Sequence, residues 1–559
     1  MANETSSIET KIESPDYTAP LRGGDFLLRE LTLTSKSSPT NPIKFNVPGV
    51  FVELNIYEDL FENVLKGTFD FIDNQGIAEL IPIIGDETLE LSFSTPGGEG
   101  TKVNTDSKEM ATLESGAGSE EAVKQRFHVY DCIEIGDEQK KKMYKLFFVS
   151  SEYVYSTKMK ISKGYKGKRY HEIVKDALAK INKTPGFNKE WQKKAFIEET
   201  ATPQNVIVPN WTPFQAINFC AARSLSSDIT ESTQDSAAAS QLPFAGGSLF
   251  VFYEKLGTGF FYESIESMII KQKSQKNIPM YQYIPKTAGG ASRNLKVSFF
   301  GVEQFTVKGS FKSLENLGFG MYGSRLIAYD PIRMKYDEVK YDYYKKEKNP
   351  VTQTRNSDTG AVEEKPEPSQ AKDDSTRIFA DFIATDIHPT EKVANKLISE
   401  DSDFLGSNDA SIKLATTTKS HDAMFVAPQS GNTSIGVSET TFKDYEAKPN
   451  QVESWLLQRE TQMQEFGNII VNFTVAGNSA RHVGDLIRFE LPTMISTDHP
   501  STMATSLSHQ LYSGYYVVSK IRHIITTDNY STEMELIKNS FAKRIPGQKS
   551  AKEEAKNIE

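Results

Sequence analysis

The residues that most often do chemistry are few in this sequence, and their spacing fits no common kind of site. No two of the eight histidines have the H-E-x-x-H spacing of a helical zinc site. His499 and His509 fall in one segment between strands, where a shared metal ion is the less favoured interpretation. His171, beside the apolar stripe of a helix, is predicted at the surface. His523 is predicted as a half-buried sheet histidine rather than a ligand.

The two cysteines, Cys132 and Cys220, exclude a disulfide framework, and neither belongs to a C-x-x-C motif. Cys132 falls in a strand-like run and Cys220 on one face of a helix. Both are therefore predicted to be small apolar residues of the core.

Motifs for nucleophilic catalysis and phosphate binding are also missing from the sequence, which has no G-x-S-x-G turn and no Walker A loop. Gly257-Thr258-Gly259 separates two aromatic strands and predicts a hairpin turn, because no helix opens after it to bind a phosphate. The sequence has 74 acidic residues, so some pairs of carboxylates arise by chance. Such pairs do not identify a glycosidase site. The sequence therefore predicts a non-enzymatic protein with no catalytic, cofactor-binding or metal residue, and the interface residues stay unknown.

A basic and aromatic run from Arg333 to Lys346 has the composition of a polyanion-binding strand. It also holds Asp337, Glu338 and Asp342, which oppose that role. A solvated edge or a protein-contact strand is the favoured interpretation.

The composition bounds the class of protein. A chain of 559 residues predicts three or four domains at ~150 residues each. The net charge of -10 argues against general nucleic-acid binding, which needs a basic face. No apolar run approaches ~18 residues, so no membrane span is expected. The polar, acidic N-terminus lacks the apolar region of a secretory signal.

Several segments hold too few apolar residues to offset the entropy of ordering them. The sequence predicts flexible tails at 1–23 and 541–559, a loop insertion at 97–124 and a linker at 345–376. The stretch 226–241 has the same character.

Strands dominate the remainder. Apolar and polar residues alternate over 67–72 and 88–93, and again over 469–475 and 487–491, which indicates sheets with one buried face. Two more strands, within 515–537, flank a predicted turn at Thr526-Thr527-Asp528-Asn529. The run from Phe147 to Tyr155 is predicted to be a strand as well.

Helices are predicted over 169–182, 213–224 and 451–466. The first has apolar residues at i, i+3, i+4, i+7 and i+8. The second opens with Pro213 after Thr212, a helix-start signal.

The two strand-rich regions share an order of parts. Strand 67–72, Gly85-Asp86 and strand 88–93 are followed by an insertion and the strand from Phe147. Strand 468–475, Gly484-Asp485 and strand 487–491 are followed by an insertion and the strand from Tyr515. Two copies of one small β-barrel domain would explain this order, and two unrelated antiparallel sheets with similar turns are the plainer alternative.

The predicted fold class is mainly β with α+β insertions: two similar antiparallel β-barrel tube domains plus two other regions. The predicted domains are tube domain 1 at 24–160, a mixed α/β domain at 161–245, tube domain 2 split between 246–275 and 450–540, and an inserted peripheral domain at 276–449.

The segment from Leu54 to Glu87, with Leu54-Asn55-Ile56-Tyr57-Glu58-Asp59 and Leu65-Lys66-Gly67-Thr68-Phe69-Asp70-Phe71, resembles the opening of central baseplate hub proteins of contractile-tailed, T-even-like bacteriophages. Trp211-Thr212-Pro213-Phe214, Phe250-Val251-Phe252 and Gly484-Asp485 follow in the family order. The resemblance spans about 50–540 in patches, and the material at 97–124 and 276–448 departs from the family pattern.

The resemblance implies a homotrimer in which two tube domains per chain form a pseudo-sixfold ring between the sixfold tail tube and the threefold central spike. Implied partners are the central spike protein, tail tube or tube-initiator proteins and baseplate wedge proteins. DNA would pass through the lumen without specific binding, and no membrane is involved. The expected location is the virion, in the baseplate of the phage tail, after assembly in the host cytoplasm.

Other interpretations stay open. A tail-associated cell-wall hydrolase lacks a supporting catalytic pattern, and a receptor-binding adhesin lacks a fibrous repeat. The hub of a related contractile injection system is a closer alternative, although no repetitive β-helix segment follows residue 540.

Overall fold

A computed structural model describes residues 23–95, 123–227, 248–284, 299–342, 452–492 and 509–538, apart from short gaps, together with three short strands between 354 and 416. Most of the predicted tails, of the loop 97–124 and of the linker 345–376 lies outside the described residues, as does His499. Val123 and Lys124, at the end of the predicted loop, belong to a strand instead. Within that linker the structure places a short strand pair, Thr354–Arg355 with Val362–Glu363.

Strands outnumber helices in the described residues. The strands are β1 Leu27–Ser35, β2 Ser38–Lys44, β3 Phe51–Asp59, β4 Lys66–Asp73, β5 Thr88–Ser94, β6 Val123–Glu138, β7 Lys141–Ser150, β8 Ile161–Lys168, β9 Lys194–Ile197, β10 Gln204–Trp211, β11 Phe250–Lys255, β12 Gly259–Ser264, β13 Met280–Tyr283, β14 Gly301–Val302, β15 Gln304–Ser310, β16 Gly323–Asp330, β17 Lys335–Asp342, β18 Thr354–Arg355, β19 Val362–Glu363, β20 Ile412–Thr416, β21 Ile469–Ala476, β22 Leu486–Glu490, β23 Gly514–Thr526 and β24 Tyr530–Lys538. The helices are α1 Ser151–Thr157, α2 Tyr170–Asn182, α3 Pro213–Ala221, α4 Ile265–Ser274 and α5 Val452–Phe466.

One 14-stranded sheet holds both strand-rich regions together. Its main path runs β14-β13-β22-β23-β3-β4-β7-β6-β5-β1-β2, and β24, β21 and β15 extend from β23 in a side branch. The predicted mainly β fold class with large antiparallel sheets is confirmed. The predicted barrels are not, because within the described residues neither region closes on itself.

Two halves of this sheet repeat one arrangement. The first half, which we call repeat 1, has the order β3-β4-β7-β6-β5, and repeat 2 has the order β15-β21-β24-β23-β22. Every neighbouring pair within both orders is antiparallel. The correspondence is therefore β3 with β15, β4 with β21, β7 with β24, β6 with β23 and β5 with β22.

Finer details of the two repeats also coincide. The pairing of β6 with β7 slips between Val129 and Asp131, and the pairing of β23 with β24 slips between Val518 and Lys520. When the β5–β6 and β22–β23 registers are superposed, these two bulges fall at the same place. A bulge in the same position of the same strand is difficult to attribute to generic sheets, because bulges are specific structural features.

The turn before β5 and β22 is similar as well. Gly85 and Gly484 both have positive φ, +87° and +80°, which favours glycine at this point. The sequence identified these glycines, but it aligned the strand from Phe147 with the strand from Tyr515. That alignment is wrong by one strand, because β6 is the counterpart of β23 and β7 is the counterpart of β24.

A second difference concerns the residues after β7. The strand predicted to continue to Tyr155 ends at Ser150, and α1 begins at Ser151. Aromatic and β-branched residues favour a strand here, yet the helix buries the polar side chains Glu152 and Ser156 against the next region. Tertiary partners therefore override local propensity.

The predicted helices are present as α2, α3 and α5. The helix α3 begins as its sequence predicts, with Pro213 in the first turn and a capping box at its start. Gln215 N donates to Thr212 Oγ1 at 3.3 Å, and Thr212 N donates to Gln215 Oε1 at 2.9 Å.

The mixed region between the repeats buries α2 and α3 against the β8–β10 pair. His171 of α2 is buried here, which corrects its predicted surface position. Thr200 N donates to His171 Nδ1 at 2.9 Å, and burial together with Lys175 lowers the pKa of the imidazole. The segment around Thr200 covers a face that the helical pattern alone left exposed.

The hairpin β11–β12 turns at Gly257-Thr258-Gly259, as predicted, and β12 pairs in parallel with β9. Its two faces belong to different cores: Phe252 and Phe260 pack with the mixed region, and Val251 and Tyr253 pack with repeat 2. The hairpin thus links the mixed region to repeat 2.

Within the predicted inserted domain, β16 and β17 form an antiparallel pair, and β20 joins β16 in parallel. Among the described residues no helix has both the length and the apolar character to cross a bilayer. The domain boundaries stay a prediction.

Candidate assembly site at the junction of the repeats

The two repeats meet where β3 pairs with β23. This junction is antiparallel and runs from Lys520 opposite Asp59 to Thr526 opposite Glu53. β23 is long enough to pair with β22 through its first residues and with β3 through its last, on the same edge. We call this the internal seam.

The outer face of the internal seam carries opposite charges on its two strands. Lys520 Nζ lies 3.1 Å from Asp59 Oδ2. Arg522 Nε donates to Asn55 Oδ1 at 3.0 Å, and Arg522 Nη2 lies 3.5 Å from Glu53 Oε1. The bases stand on β23 and the acids on β3. These exposed pairs add only about 0–1 kcal/mol each, so they give register and specificity more than stability.

The inner face encloses a completely buried carboxylate, Glu58. It accepts hydrogen bonds from Val483 N at 3.2 Å and from Leu256 N at 3.1 Å. His482 Nδ1 lies 3.3 Å and His523 Nε2 3.4 Å from Glu58 Oε1. Burial would raise the pKa of Glu58, but the two imidazoles outweigh it and hold that pKa well below its usual value.

His523 is wholly buried, so the prediction of a half-buried residue was wrong in degree. Its Nδ1 lies 2.7 Å from Tyr530 Oη and its Nε2 faces Glu58. The strand alternation identified its inward face. Only the seam, which places β3 alongside β23, explains why no solvent reaches it.

The β11–β12 turn closes this cluster from the side of the mixed region. In addition to Leu256, Gly257 N donates to Gln125 Oε1 of β6 at 3.4 Å. Lys255 Nζ lies 3.6 Å from Asp485 Oδ1 of repeat 2. One turn therefore contacts both repeats, through a hydrogen bond to repeat 1 and an ion pair with repeat 2. These contacts fix the relative position of the repeats.

A second buried carboxylate, Glu254, anchors the same hairpin to repeat 1. Gln125 Nε2 donates to Glu254 Oε1 at 2.9 Å, and Ser150 Oγ donates to Glu254 Oε2 at 2.6 Å. Lys193 Nζ lies 2.6 Å from Glu254 Oε1 and 2.7 Å from Glu152 Oε2. Burial would lower the pKa of Lys193, but the two carboxylates raise it, so the ammonium stays charged between them.

The chemistry of these clusters is that of charge neutralisation. Each buried carboxylate has donors from several separate regions of the chain. Among the residues the structure describes, no group of three or more His, Cys, Asp or Glu side chains is placed to hold a metal ion. The disfavoured metal pairing of His499 with His509 is not tested, because His499 lies outside the described residues. These clusters can hold repeat 1, repeat 2 and the β11–β12 hairpin in one arrangement.

The cysteines differ from each other. Cys220 is buried in α3, as predicted. Cys132 is only half-buried on β6, which corrects its predicted core position, and its neighbours Tyr130 and Ile133 are exposed. Burial, helped by Asp131, raises the pKa of the Cys132 thiol to about 11.

The sequence did not identify the seam residues. Glu58 and Glu254 stand at apolar positions of alternating strands, where an acid is rarely buried without a partner. That anomaly was the available signal, because it marks an inward-facing charge that needs a distant counter-charge.

The chain matches no protein-family model and no curated protein sequence. Among solved structures, a tail protein from Neisseria meningitidis MC58 is similar over 91% of this chain and 96% of its own, with a TM-score of 0.41 and 8% identity. The 43 kDa tail protein of prophage MuSo2 from Shewanella oneidensis is similar over 91% of this chain and 97% of its own (TM-score 0.39, 9% identity).

A third similar structure is an E. coli component of the type VI secretion system, described as structurally similar to the T4 bacteriophage tail proteins gp27 and gp5. It covers 92% of this chain and 77% of its own, with a TM-score of 0.32 and 8% identity. The similar structures are thus phage tail and type VI secretion proteins. Since these TM-scores are below 0.5, function must be inferred from the chain's own geometry.

Proposed function

We propose that this protein is the structural central hub of a contractile phage-tail baseplate, a trimeric adaptor between the sixfold tail tube and the threefold central spike. The observation that carries the proposal is the internal seam, where β3 of repeat 1 pairs with β23 of repeat 2. Two similar units are joined edge to edge within one chain, as two neighbours in a ring would be.

The symmetry argument is simple. Three chains with two similar units each present six similar units around one axis, while the chains themselves obey threefold symmetry. One face of such a ring can bind a sixfold partner and the other a threefold partner. A chain with a single unit has no such dual symmetry in a trimer.

The buried polar clusters support a rigid role. Glu58 and Glu254 each bind donors from separate regions of the chain, so the repeats and the hairpin β11–β12 are held in one geometry. An adaptor that transmits force between a tube and a spike needs such rigidity. We propose no catalytic role for these groups.

The proposed partners come from the resemblance of the sequence. They are the central spike protein on the distal side, tail tube or tube-initiator proteins on the proximal side, and baseplate wedge proteins around the ring. The genome would pass through the lumen during ejection, and the location would be the virion. Specific protein contacts of these kinds fit a chain whose net charge of -10 disfavours holding DNA.

The test is the assembly of the full chain, alone and with its spike and tube partners. Mass photometry should give a trimer, and negative-stain images should show rings with six similar peripheral units in end view. A chain that stays monomeric at all concentrations, even with both partners present, would overturn the proposal. Clear lysis in a peptidoglycan zymogram would overturn its non-enzymatic part.

A further inference from the structure

The strand β6 has an uncovered half. Its first residues pair with β5, and the register ends at Thr88 opposite His128. Within the described part of the chain, the segment from Asp131 to Glu138 pairs with β7 alone. The corresponding half of β23 is the half that β3 covers in the internal seam.

The strand β15 has the complementary vacancy. It pairs with β21 on one side, and within the described residues no strand pairs with its other side. Its counterpart β3 pairs with β4 on one side and with β23 on the other. Among its described strands, each chain thus has one uncovered edge equivalent to that of β23 and one equivalent to that of β3. These are the two edges that pair in the internal seam.

We propose that these two edges pair between copies of the chain, the second half of β6 in one copy with β15 of the next. The inference rests on the proposed hub, because it names that ring's subunit contact. We call the contact the external seam. Internal and external seams alternate around the ring, and the contact is heterologous and closes after three chains.

The register follows from superposing the repeats. In the internal seam His523 lies opposite Ile56 and Ile524 opposite Asn55. The matching positions place Glu134 opposite Val307 and Ile135 opposite Thr306 in the external seam. The two strands would run antiparallel, as β23 and β3 do.

Exposure agrees with a missing neighbour. Large apolar side chains on the uncovered part of β6 are strongly exposed: Ile133 is 46% and Ile135 50% accessible. In β15 Phe305 and Val307 are only partly buried, whereas their counterparts in β3, of which Ile56 is one, are fully buried. An apolar, unpaired edge is a template for strand addition, and soluble proteins seldom leave one bare.

Charge decides which edges can pair. In the internal seam the bases are on β23 and the acids on β3. The matching outer face of the external edges has the opposite polarity: β6 carries Asp131 at the position of Lys520, and β15 carries Lys308. A β6 edge therefore attracts β15 and repels β3. The charges therefore favour a ring in which internal and external seams alternate. They disfavour pairing of β6 with β3 of another copy.

The test is disulfide cross-linking in the full chain. Ile135→Cys and Thr306→Cys are combined in a Cys132→Ser background, in which the remaining native Cys220 is buried. Under mild oxidation most of the assembled chain should shift from the monomer band to covalent dimer and trimer bands on non-reducing gels. Thiol reductant should reverse the shift. Antiparallel partners lie within disulfide reach.

Two further pairs check the register. Ile135→Cys with Gln304→Cys or with Lys308→Cys moves the partner two residues along β15 and should cross-link less. Ile135→Cys with Ile207→Cys places the second thiol at an exposed site on β10, which belongs to a different sheet, and should stay in the monomer band on non-reducing gels. The single variant Ile135→Cys controls for random dimers.

The outcomes separate the two proposals. A ring seen by mass photometry that cross-links at none of the three β15 positions would overturn the external seam and leave the hub intact. A chain that stays monomeric with spike and tube partners present would overturn both. A ladder that ends in a covalent trimer supports both.

Discussion

Glu58 Oε1 and His523 Nε2 lie 3.4 Å apart, and both side chains are fully buried. The carboxylate comes from the first repeat and the imidazole from the second, so this contact joins two regions that are distant in sequence. Burial of a charge is costly without a partner. Each residue is therefore acceptable in its position only while the internal seam is intact.

The first prediction concerns that carboxylate. Glu58→Gln keeps the shape but removes the charge that His482, His523 and two backbone N–H groups share. We expect the free energy of unfolding to fall by about 2–3 kcal/mol, measured by urea denaturation. Glu62→Gln, in an exposed i,i+4 pair with Lys66, is the control and should change it by less than about 0.5 kcal/mol. Equal effects of the two variants would contradict the buried role.

The second prediction is the pH dependence of the same group. The pKa of Glu58 is lowered from 4.5 in the folded chain, so its ionised form stabilises the fold. This stability is fully present above the unfolded pKa of 4.5 and is lost as the pH falls below it. The stability difference between the native chain and Glu58→Gln should therefore shrink in a denaturation series taken below pH 4.5. A difference that grows on acidification would show the opposite sign of the shift.

The third prediction concerns Glu266 in α4, whose pKa burial raises to about 7. Gln462 Nε2 donates to its Oε1 at 2.7 Å, and no group bonds to its Oε2 in the described structure. Because the folded pKa is raised, Glu266 favours the fold at low pH and costs stability as the pH rises from 4.5 toward 7. Glu266→Gln should therefore stabilise the chain by about 1–3 kcal/mol above neutrality, with a smaller gain in acid.

Thermal or urea unfolding at several pH values measures this effect. Glu62→Gln, in the exposed pair with Lys66, is again the control. If Glu266→Gln destabilises the chain at alkaline pH, the ionised carboxylate must have a partner. The interaction with that partner would then exceed the free-energy cost of burying the charge.

The fourth prediction tests close packing in β4. A Cβ on Gly67 would overlap with the Phe148 ring and with Asn55 O, so Gly67→Ala must displace a buried ring or the backbone of β3. We expect a loss of about 1–3 kcal/mol in the free energy of unfolding. Gly164→Ala in β8 has open space around the new methyl group and should be close to neutral. Similar losses for both variants would contradict the packing explanation.

The fifth prediction tests the charge pattern of the external seam. Asp131→Lys and Lys308→Glu should each weaken trimer formation, because the two side chains share the outer face of the contact and each variant creates like charges there. The double variant restores opposite charges in reversed order and should recover assembly. Mass photometry at low ionic strength is the measurement, and Lys168→Glu in the mixed region is the control. A double variant no better than the singles would count against this pairing.

Much of the local structure was predictable because it depends on near neighbours. The alternation in β4, β5, β21 and β22 and the helical stripe of α2 set which faces are buried. The capping pattern at Thr212 and Pro213 sets where α3 begins. The turn glycines Gly257 and Gly484 have positive φ, as their positions between strands imply.

What the sequence did not reveal depends on distant partners. α1 forms where aromatic residues favour a strand, because Glu152 meets Lys193 across the fold. Strand β6 was missed as a counterpart of β23, since its second half lacks a buried alternating face within one chain. The internal seam, and with it the role of Glu58, requires pairing that no local pattern contains.

The internal seam also sets an order of events during synthesis. Arg522 and Asn55, which it joins, are 467 residues apart in the chain. Such a distant pairing forms slowly, and it cannot begin before the end of β23 has left the ribosome. Until then β3 has an uncovered apolar edge that resembles the one on β15. A truncated chain without β23 would keep that edge exposed. Repeat 2 therefore protects repeat 1 from pairing with other chains.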